Sequence, residues 1–248
     1  MQAMRKIAQY GNALPSPLFR RLVRAVREVG SERLAESYTT NFWFPAGGRP
    51  RNIVEEAITR LYRFARPGPR CVGAEWWLGR LPYGQSLSLH FDRDMTLEDR
   101  GGDTVHPLWS SILYLNRFPS SPTVILDQVL GRDRKSLVPA VAKTGKAVDP
   151  VPNRYVVYRG SLYHGVVASA AARKRAARSG NAGKPPRLRL TLLVNFWDRR
   201  PLPPVCRDYD GTVYAALRNG HGGGRQDSVP KSAASGQSRV PDEAVDAP

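Results

Sequence analysis

Residues 86–92, with the sequence SLSLHFD, place an imidazole and a carboxylate two positions apart. Side chains two positions apart in a β-strand lie on the same face, so we expect His90 and Asp92 to share one polar face. The apolar residues of the segment are expected on the opposite face: Leu87, Leu89 and Phe91. An imidazole and a carboxylate on one face can bind the same metal ion, and a second histidine would complete the ligand set typical of non-haem Fe(II) sites.

A second histidine stands in a suitable position further along the chain. His164 follows a predicted strand at residues 153–159 and lies in the next β-like segment, residues 161–168. The strands between it and Asp92 allow the two segments to meet across a barrel. His106 stays open as an alternative third ligand, as part of a lid, or as a loop residue without a metal role. His221 lies in a Gly- and Ser-rich terminal segment and is a poor candidate.

A basic residue occurs in the last predicted strand, residues 187–197, which is largely apolar. Arg189 and Thr191 share one face of this strand. Burying an arginine is costly unless it pairs with a carboxylate, to which a guanidinium donates two parallel hydrogen bonds. The strand therefore predicts a site for a carboxylate. Arg187 points the same way, so the choice between the two arginines stays open, with Arg189 favoured by its spacing to Thr191.

Short β-like segments dominate the chain from residue 71 onwards. Strands are predicted over residues 72–81, 86–92, 110–116, 123–130, 153–159, 161–168 and 187–197. Many short strands without intervening helices indicate a sandwich or barrel. Apolar residues at helical spacing predict helices beginning near residues 16, 31 and 52, which would pack against a sheet. Residues 39–51 are predicted to be a loop, and residues 171–186 a flexible surface loop.

The composition limits the classes of partner and compartment. The 248 residues include 38 lysines and arginines against 21 acidic residues, for a net charge of +17. The basic residues are spread along the chain, so nucleic acid is kept only as an alternative partner. Two cysteines form no disulfide framework and fit a reducing compartment. With no apparent signal peptide or membrane span, we expect a cytoplasmic protein without a membrane partner.

The order of these motifs resembles that of the Fe(II)/2-oxoglutarate-dependent dioxygenases, in particular the branch similar to prolyl 4-hydroxylases. The resemblance covers about residues 72–200. The residues that carry it are His90-x-Asp92, His164-Gly165-Val166, Arg189-x-Thr191 and Tyr114-Leu115-Asn116. Two features depart from the family: the usual Gly-Gly element after the Tyr-Leu-Asn strand is missing, and the basic loop widens the interval between His164 and Arg189.

The resemblance implies a fold, a set of cofactors and roles for single residues. The fold would be mainly β with N-terminal α-helices, built as a double-stranded β-helix (jelly roll). His90, Asp92 and His164 would hold Fe(II), and Arg189 would bind the distal carboxylate of 2-oxoglutarate with help from Thr191 and Tyr114. O₂ would be consumed, 2-oxoglutarate would become succinate and CO₂, and an unidentified small-molecule or peptidyl substrate would be hydroxylated.

This interpretation divides the chain into three parts. Residues 1–70 form an N-terminal helical support, residues 71–218 form the catalytic double-stranded β-helix, and residues 219–248 form a disordered tail, because they carry too few apolar residues to order themselves. We expect a monomer or weak homodimer. The alternatives are a nucleic-acid-binding or repair dioxygenase on the same scaffold and a non-catalytic jelly-roll binding protein.

Overall fold

The computed structural model describes residues 7–37, 40–119, 121–178 and 187–218. Within these ranges the protein is mainly β, as predicted. The helices are α1 (Ser16–Val29), α2 (Ser31–Glu36), α3 (Ile53–Ala65), α4 (Met95–Asp99) and α5 (Ala170–Arg178), with a 3-10 helix at Ala215–Leu217. The strands are β1 (Ile7–Tyr10), β2 (Asn41–Pro45), β3 (Gly73–Pro82), β4 (Leu87–His90), β5 (Trp109–Tyr114), β6 (Thr123–Leu126), β7 (Val129–Leu130), β8 (Leu137–Val138), β9 (Gly145–Val148), β10 (Tyr155–Arg159), β11 (His164–Val166), β12 (Leu188–Trp197) and β13 (Cys206–Asp208). Across the described part of the chain, no helix combines the length and apolar character that a bilayer crossing requires.

Two sheets face each other and enclose the interior where the predicted site residues lie. The larger sheet has seven strands in the order β1-β10-β5-β12-β3-β2-β13, and the smaller has four in the order β4-β11-β6-β9. Apolar side chains from both sheets pack between them: Ile112, Tyr114, Ile125, Val148, Val156, Tyr158 and Leu162. The other face of the larger sheet is covered by α1 and α3, whose apolar stripes bury Leu22, Val26, Ile58 and Leu61.

Strand β12 lies at the centre of the larger sheet and sets the direction of its side chains. It pairs with β3 over all ten of its residues and with β5 on its other edge. Leu192, Val194 and Phe196 point to the helices and are fully buried. Because successive side chains alternate between faces, Arg189, Thr191 and Asn195 point to the interior between the sheets. A single strand therefore presents a row of polar groups to that interior.

The helix predicted near residue 52 begins at a capping residue. The Asn52 side chain accepts hydrogen bonds from the backbone N–H groups of Val54 and Glu55, both at 2.9 Å. Asparagine is favoured at this position because its oxygen satisfies the donors that the first helical turn leaves unpaired. The helix ends at Arg66, which adopts the left-handed conformation with φ at 42°. The sequence signal and the structure agree here.

The prediction of a loop at residues 39–51 is wrong for its first half. Residues Asn41–Pro45 form β2, which pairs with β3 and β13. Phe42, Trp43 and Phe44 are all buried, so the strand lacks the alternation of polar and apolar residues by which a half-exposed strand is recognised. Together with β1, this strand makes residues 7–65 a mixture of helices and strands. The division at residues 70 and 218 stays a prediction.

The prediction of a flexible loop at residues 171–186 is also wrong for its first half. Residues up to Arg178 belong to α5, in which Ala172 is buried and Ala176 lies against Gly84. Alanine and arginine have high intrinsic helix propensity, and this preference outweighed the basic, small-residue texture that suggested a loop. Residues 179–186 and the predicted tail at residues 219–248 lie outside the described residues.

Candidate metal centre

His90, Asp92 and His164 come together at the end of the interior. Their ligand atoms all lie within 4.8 Å of one another. The Nε2 atom of His164 is 3.6 Å from Oδ2 of Asp92, and the Nε2 atom of His90 is 4.0 Å from Oδ1 of the same carboxylate. Neighbouring ligands held about 2.1 Å from one ion at right angles lie about 3 Å apart, so small side-chain rotations would close this set around a metal. The donor set therefore fits a divalent ion, although its role in binding one stays a prediction.

A β-bulge sets the direction of His90. His90 lies directly opposite His164, whereas Leu87 lies opposite Val166, so β4 contains one residue more than its partner between these pairs. Opposed residues share a face, which puts Leu87 on the same side as His90. The strict alternation expected for residues 86–92 is therefore wrong at Leu87. One residue in the sequence is consistent with the bulge: Gly165 lies between His164 and Val166, and a Cβ atom there would come within 3.0 Å of the Leu89 backbone.

Both imidazole rings are held in the same tautomer by backbone carbonyls. The Nδ1 atom of His90 lies 2.8 Å from the carbonyl oxygen of Ser88, and Nδ1 of His164 lies 2.9 Å from that of Leu162. A carbonyl oxygen only accepts, so each Nδ1 carries the hydrogen and each Nε2 keeps its lone pair. Such a contact fixes both the tautomer and the orientation of a metal-binding histidine. The rings are 4.5 Å apart between centroids.

Burial favours the neutral form of His164. Its side chain is 5% exposed, against 40% for His90 and 11% for Asp92. Desolvation lowers the pKa of His164, and the neighbouring His90 lowers it further, while the charge of Asp92 opposes the shift. The neutral imidazole is the form that binds a metal ion.

Asp92 is oriented by two contacts that were not predicted from the sequence. Ser110 donates its hydroxyl hydrogen to Oδ2 of Asp92 at 2.6 Å. His106 donates from Nδ1 to the backbone carbonyl of Asp92 at 2.8 Å. Among the described residues, His106 is not in the ligand group, so the alternative that it replaces His164 is not supported. Its contact instead holds the backbone that carries the carboxylate.

Arg189, Thr191 and Tyr114 lie together on the same inner face. Arg189 is 5% exposed and donates from Nη2 to the hydroxyl of Thr123 at 2.7 Å. Its guanidinium carbon lies 5.2 Å from the centroid of the Tyr114 ring. Tyr114 donates to the same Thr123 hydroxyl at 2.7 Å and lies opposite Thr191 in the sheet. Thr123 is the shared polar partner here, and sequence reasoning missed it although it is the one hydroxyl residue of β6.

The two candidate arginines differ in environment. Arg187 precedes β12, is exposed, and lies with its guanidinium carbon 5.9 Å from the ring centroid of Phe118. Arg189 is inside. Since a buried guanidinium binds a carboxylate much more strongly than an exposed one, the geometry favours Arg189 as the carboxylate anchor.

Tyr158 is a buried tyrosine beside the ligand group. Its ring centroid is 4.9 Å from that of His164, and its side chain is 1% exposed. Burial raises the pKa of Tyr158 well above its ordinary value, with Asp92 adding to the shift and Arg189 opposing it. The phenol therefore stays protonated. Tyr158 therefore contributes a neutral hydroxyl group next to His164.

Glu75 is a further buried group at the Asp92 end. It accepts hydrogen bonds from Asn41 Nδ2 at 2.8 Å and from Trp197 Nε1 at 3.0 Å. Burial raises the pKa of Glu75 to about 7, and repulsion from Asp92 contributes. No pattern in the sequence separated this glutamate from a surface residue of an edge strand.

Comparison with known proteins finds solved structures that are distantly similar to this chain. No protein-family model matches this chain, and no curated protein sequence does. A prolyl 4-hydroxylase from Pseudomonas putida is similar in structure, with 21% identity, a TM-score of 0.47, and coverage of 79% of this chain and 90% of that one. HygX from Streptomyces hygroscopicus, solved with nickel and 2-oxoglutarate bound, has 14% identity, a TM-score of 0.44, and coverage of 77% and 81%. AviO1 from Streptomyces viridochromogenes Tue57 has 16% identity, a TM-score of 0.45, and coverage of 80% and 92%. These distant similarities assign no family to the chain.

Proposed function

We propose that this protein is an Fe(II)/2-oxoglutarate-dependent dioxygenase that hydroxylates a small-molecule or peptidyl substrate. The observation that carries the proposal is the convergence of two Nε2 lone pairs and one carboxylate within 4.8 Å. This is the donor set of the non-haem Fe(II) oxygenases. A second observation supports it: a buried arginine, Arg189, points into the same interior and can bind a carboxylate.

The order of the strands supports a double-stranded β-helix (jelly roll) as the scaffold. Strands β3, β5, β10 and β12 lie in the larger sheet, and β4, β6, β9 and β11 lie in the smaller one. Eight strands in two facing sheets, joined by connections that cross from one sheet to the other, are typical of jelly rolls. The chain crosses between the sheets at both ligand segments, which brings β4 and β11 side by side.

Each residue of the site has a role in this proposal. His90, Asp92 and His164 would hold Fe(II) on one face, leaving the opposite positions for 2-oxoglutarate and O₂. Arg189 would bind the distal carboxylate of 2-oxoglutarate, with Tyr114 and Thr191 shaping that end. Bound iron would supply, with 2-oxoglutarate and O₂, the chemistry that hydroxylates a C–H bond, and 2-oxoglutarate would be converted to succinate and CO₂.

The nucleic-acid alternative has one specific observation in its favour. Arg20, Arg24 and Arg27 on α1 and Arg117 after β5 line a groove of about 610 Å³. The groove lies on the helix-covered side of the larger sheet, whereas the ligand group faces the opposite side. A nucleic acid bound there would be separated from the iron by a sheet, so we favour a small-molecule or peptidyl substrate. We also propose that the protein is a monomer or weak homodimer. The alternative requires binding to DNA or RNA whose affinity falls steeply with salt.

The proposal is tested by the weak visible charge-transfer band that Fe(II) and 2-oxoglutarate form together under anaerobic conditions. We expect the band in the wild-type protein, its loss in His90→Ala, and its retention in Ser111→Ala, because the Ser111 hydroxyl donates to the backbone carbonyl of Val194 and does not contact the ligand group. Release of succinate on admitting O₂ would exclude the non-catalytic binding protein. A band that persists in His90→Ala, or no band in the wild-type protein, would refute the assignment.

A further inference from the structure

Asn195 carries a buried side-chain amide whose oxygen accepts no hydrogen bond from the described residues. Its side chain lies on β12 and is 3% exposed. Within residues 7–37, 40–119, 121–178 and 187–218, no donor lies within hydrogen-bond distance of its Oδ1 atom. Buried polar atoms are almost always hydrogen-bonded, because each unpaired one carries a desolvation penalty. An exception of this kind beside a group of candidate metal ligands can mark an atom that is paired only when a ligand is bound.

The amide lies beside the ligand group. Asn195 is directly opposite Ser110 on β5 and Glu75 on β3. Opposed side chains share a face with their Cβ atoms about 5 Å apart. The Ser110 hydroxyl in turn lies 2.6 Å from Oδ2 of Asp92. The Asn195 amide is therefore one side chain removed from the carboxylate of the metal centre.

The polar groups around Asn195 have protein partners. The hydroxyl hydrogen of Ser110 is donated to Asp92, and the two oxygens of Glu75 accept from Asn41 and Trp197. Among the described residues, the Asn195 oxygen is thus a buried acceptor without a donor, surrounded by groups that are already hydrogen-bonded. Arg189 lies on the same face of β12 but six residues away, about 20 Å along a strand, so the two polar groups serve different ends of the interior.

We propose that the side-chain amide of Asn195 binds the substrate, by accepting a hydrogen bond from an N–H or O–H group close to the carbon that is oxidised. The proposal rests on the proposed function, because it takes the ligand group as the place of reaction. It narrows the substrate to molecules with such a donor near the reacting carbon. The negative charge of Asp92, whose carboxylate accepts a hydrogen bond from Ser110 beside Asn195, also favours a donor over an anionic group.

The first test is the stability of the ligand-free protein. Asn195→Leu keeps the shape of the side chain and removes the unpaired acceptor, so we expect the midpoint of thermal unfolding to rise by about 2–4 °C. The matched control is Asn116→Leu, in which the lost amide bonds the backbone of Leu188 and Leu190 at 2.8 and 2.9 Å. That midpoint should fall. A fall in Asn195→Leu as large as in the control would make the amide a structural residue and overturn the proposal.

The second test uses probes with and without donors, read as stimulation of succinate formation. Two kinds of donor-bearing probe are compared with capped counterparts that lack the donor. N-acetyl amino-acid amides are compared with their fully N-methylated forms, and simple polyols with their O-methyl ethers. We expect one donor-bearing set to stimulate the wild-type protein, its capped counterpart not to, and stimulation to fall at least tenfold in Asn195→Leu. In Asn195→Leu, the concentration of 2-oxoglutarate that half-saturates the charge-transfer band should stay within twofold of the wild-type value. A general loss of structure would change that concentration as well.

Several outcomes would overturn the proposal. Capped and donor-bearing probes could stimulate succinate formation equally, or neither donor-bearing set could stimulate it. Stimulation could also be undiminished in Asn195→Leu, which would mean that the amide does not contact the substrate. Failure of the proposed function is seen separately, as the absence of the wild-type charge-transfer band before any probe is added.

Discussion

Two adjacent serines on β5 allow the orientation of Asp92 to be tested with an internal control. Ser110 and Ser111 are both buried, but they point to opposite faces of the larger sheet. Ser110 donates to Oδ2 of Asp92 at 2.6 Å, and Ser111 donates to the backbone carbonyl of Val194 at 2.7 Å. Replacing each by alanine removes the same atom from the same strand. The two variants therefore separate an effect on the metal site from an effect on the fold.

The expected loss in Ser110→Ala follows from the charge of its acceptor. A hydrogen bond to a charged group contributes about 1.5–3 kcal/mol, and a neutral one about 1 kcal/mol. Loss of a group that orients a metal ligand lowers metal affinity by about 10- to 100-fold. At 1.4 kcal/mol for each factor of ten, these two ranges agree. We expect Ser110→Ala to weaken Fe(II) binding by that factor, and Ser111→Ala to cost about 1 kcal/mol of unfolding free energy without weakening it.

The assay is an anaerobic titration of Fe(II) into protein saturated with 2-oxoglutarate, followed by the charge-transfer band. Urea denaturation of the metal-free proteins measures the stability cost of each variant. The reasoning is refuted if Ser110→Ala binds Fe(II) within twofold of the wild-type protein, or if Ser111→Ala weakens binding as much as Ser110→Ala does. The first result would mean that the Asp92 carboxylate is oriented by its backbone alone, and the second that the loss comes from a change in the fold and not from the lost contact with Asp92.

Two further predictions concern the other end of the site and the buried glutamate. Arg189→Ala should raise the 2-oxoglutarate concentration that half-saturates the charge-transfer band by about 10- to 100-fold, because it removes charge-assisted hydrogen bonds, whereas Arg187→Ala should leave that concentration within about twofold. The reverse pattern would move the anchor to Arg187. Glu75 holds its proton more tightly in the folded protein, since burial raises its pKa from 4.5 to about 7. Its contribution to stability is therefore present below pH 4.5 and is lost between pH 4.5 and 7, by at most about 3 kcal/mol. Denaturation at pH 5 and pH 8 should show this decline in the wild-type protein and a smaller one in Glu75→Gln; equal declines would contradict it.

Much of the local structure was readable from residue types and spacing. The apolar stripes predicted α1 and α3, and alternation predicted the polar row of β12 with Arg189 and Thr191 on one face. These signals are local, since they depend on the periods of the helix and the strand. Strand β2 was missed because both of its faces are buried, which removes the alternation on which recognition depends.

The contacts that define the site depend on strands distant in sequence. The sequence by itself determined which groups are available: two imidazoles, a carboxylate and a guanidinium, on segments with a strand-like period. Only the tertiary structure decided that a bulge sets His90 opposite His164 and that Ser110 holds Asp92. It also decided that, within the described part of the chain, the Asn195 oxygen has no hydrogen-bond donor. The physical reason is that register and burial are properties of paired strands, and a residue's own neighbours in the chain carry no record of what lies across the sheet.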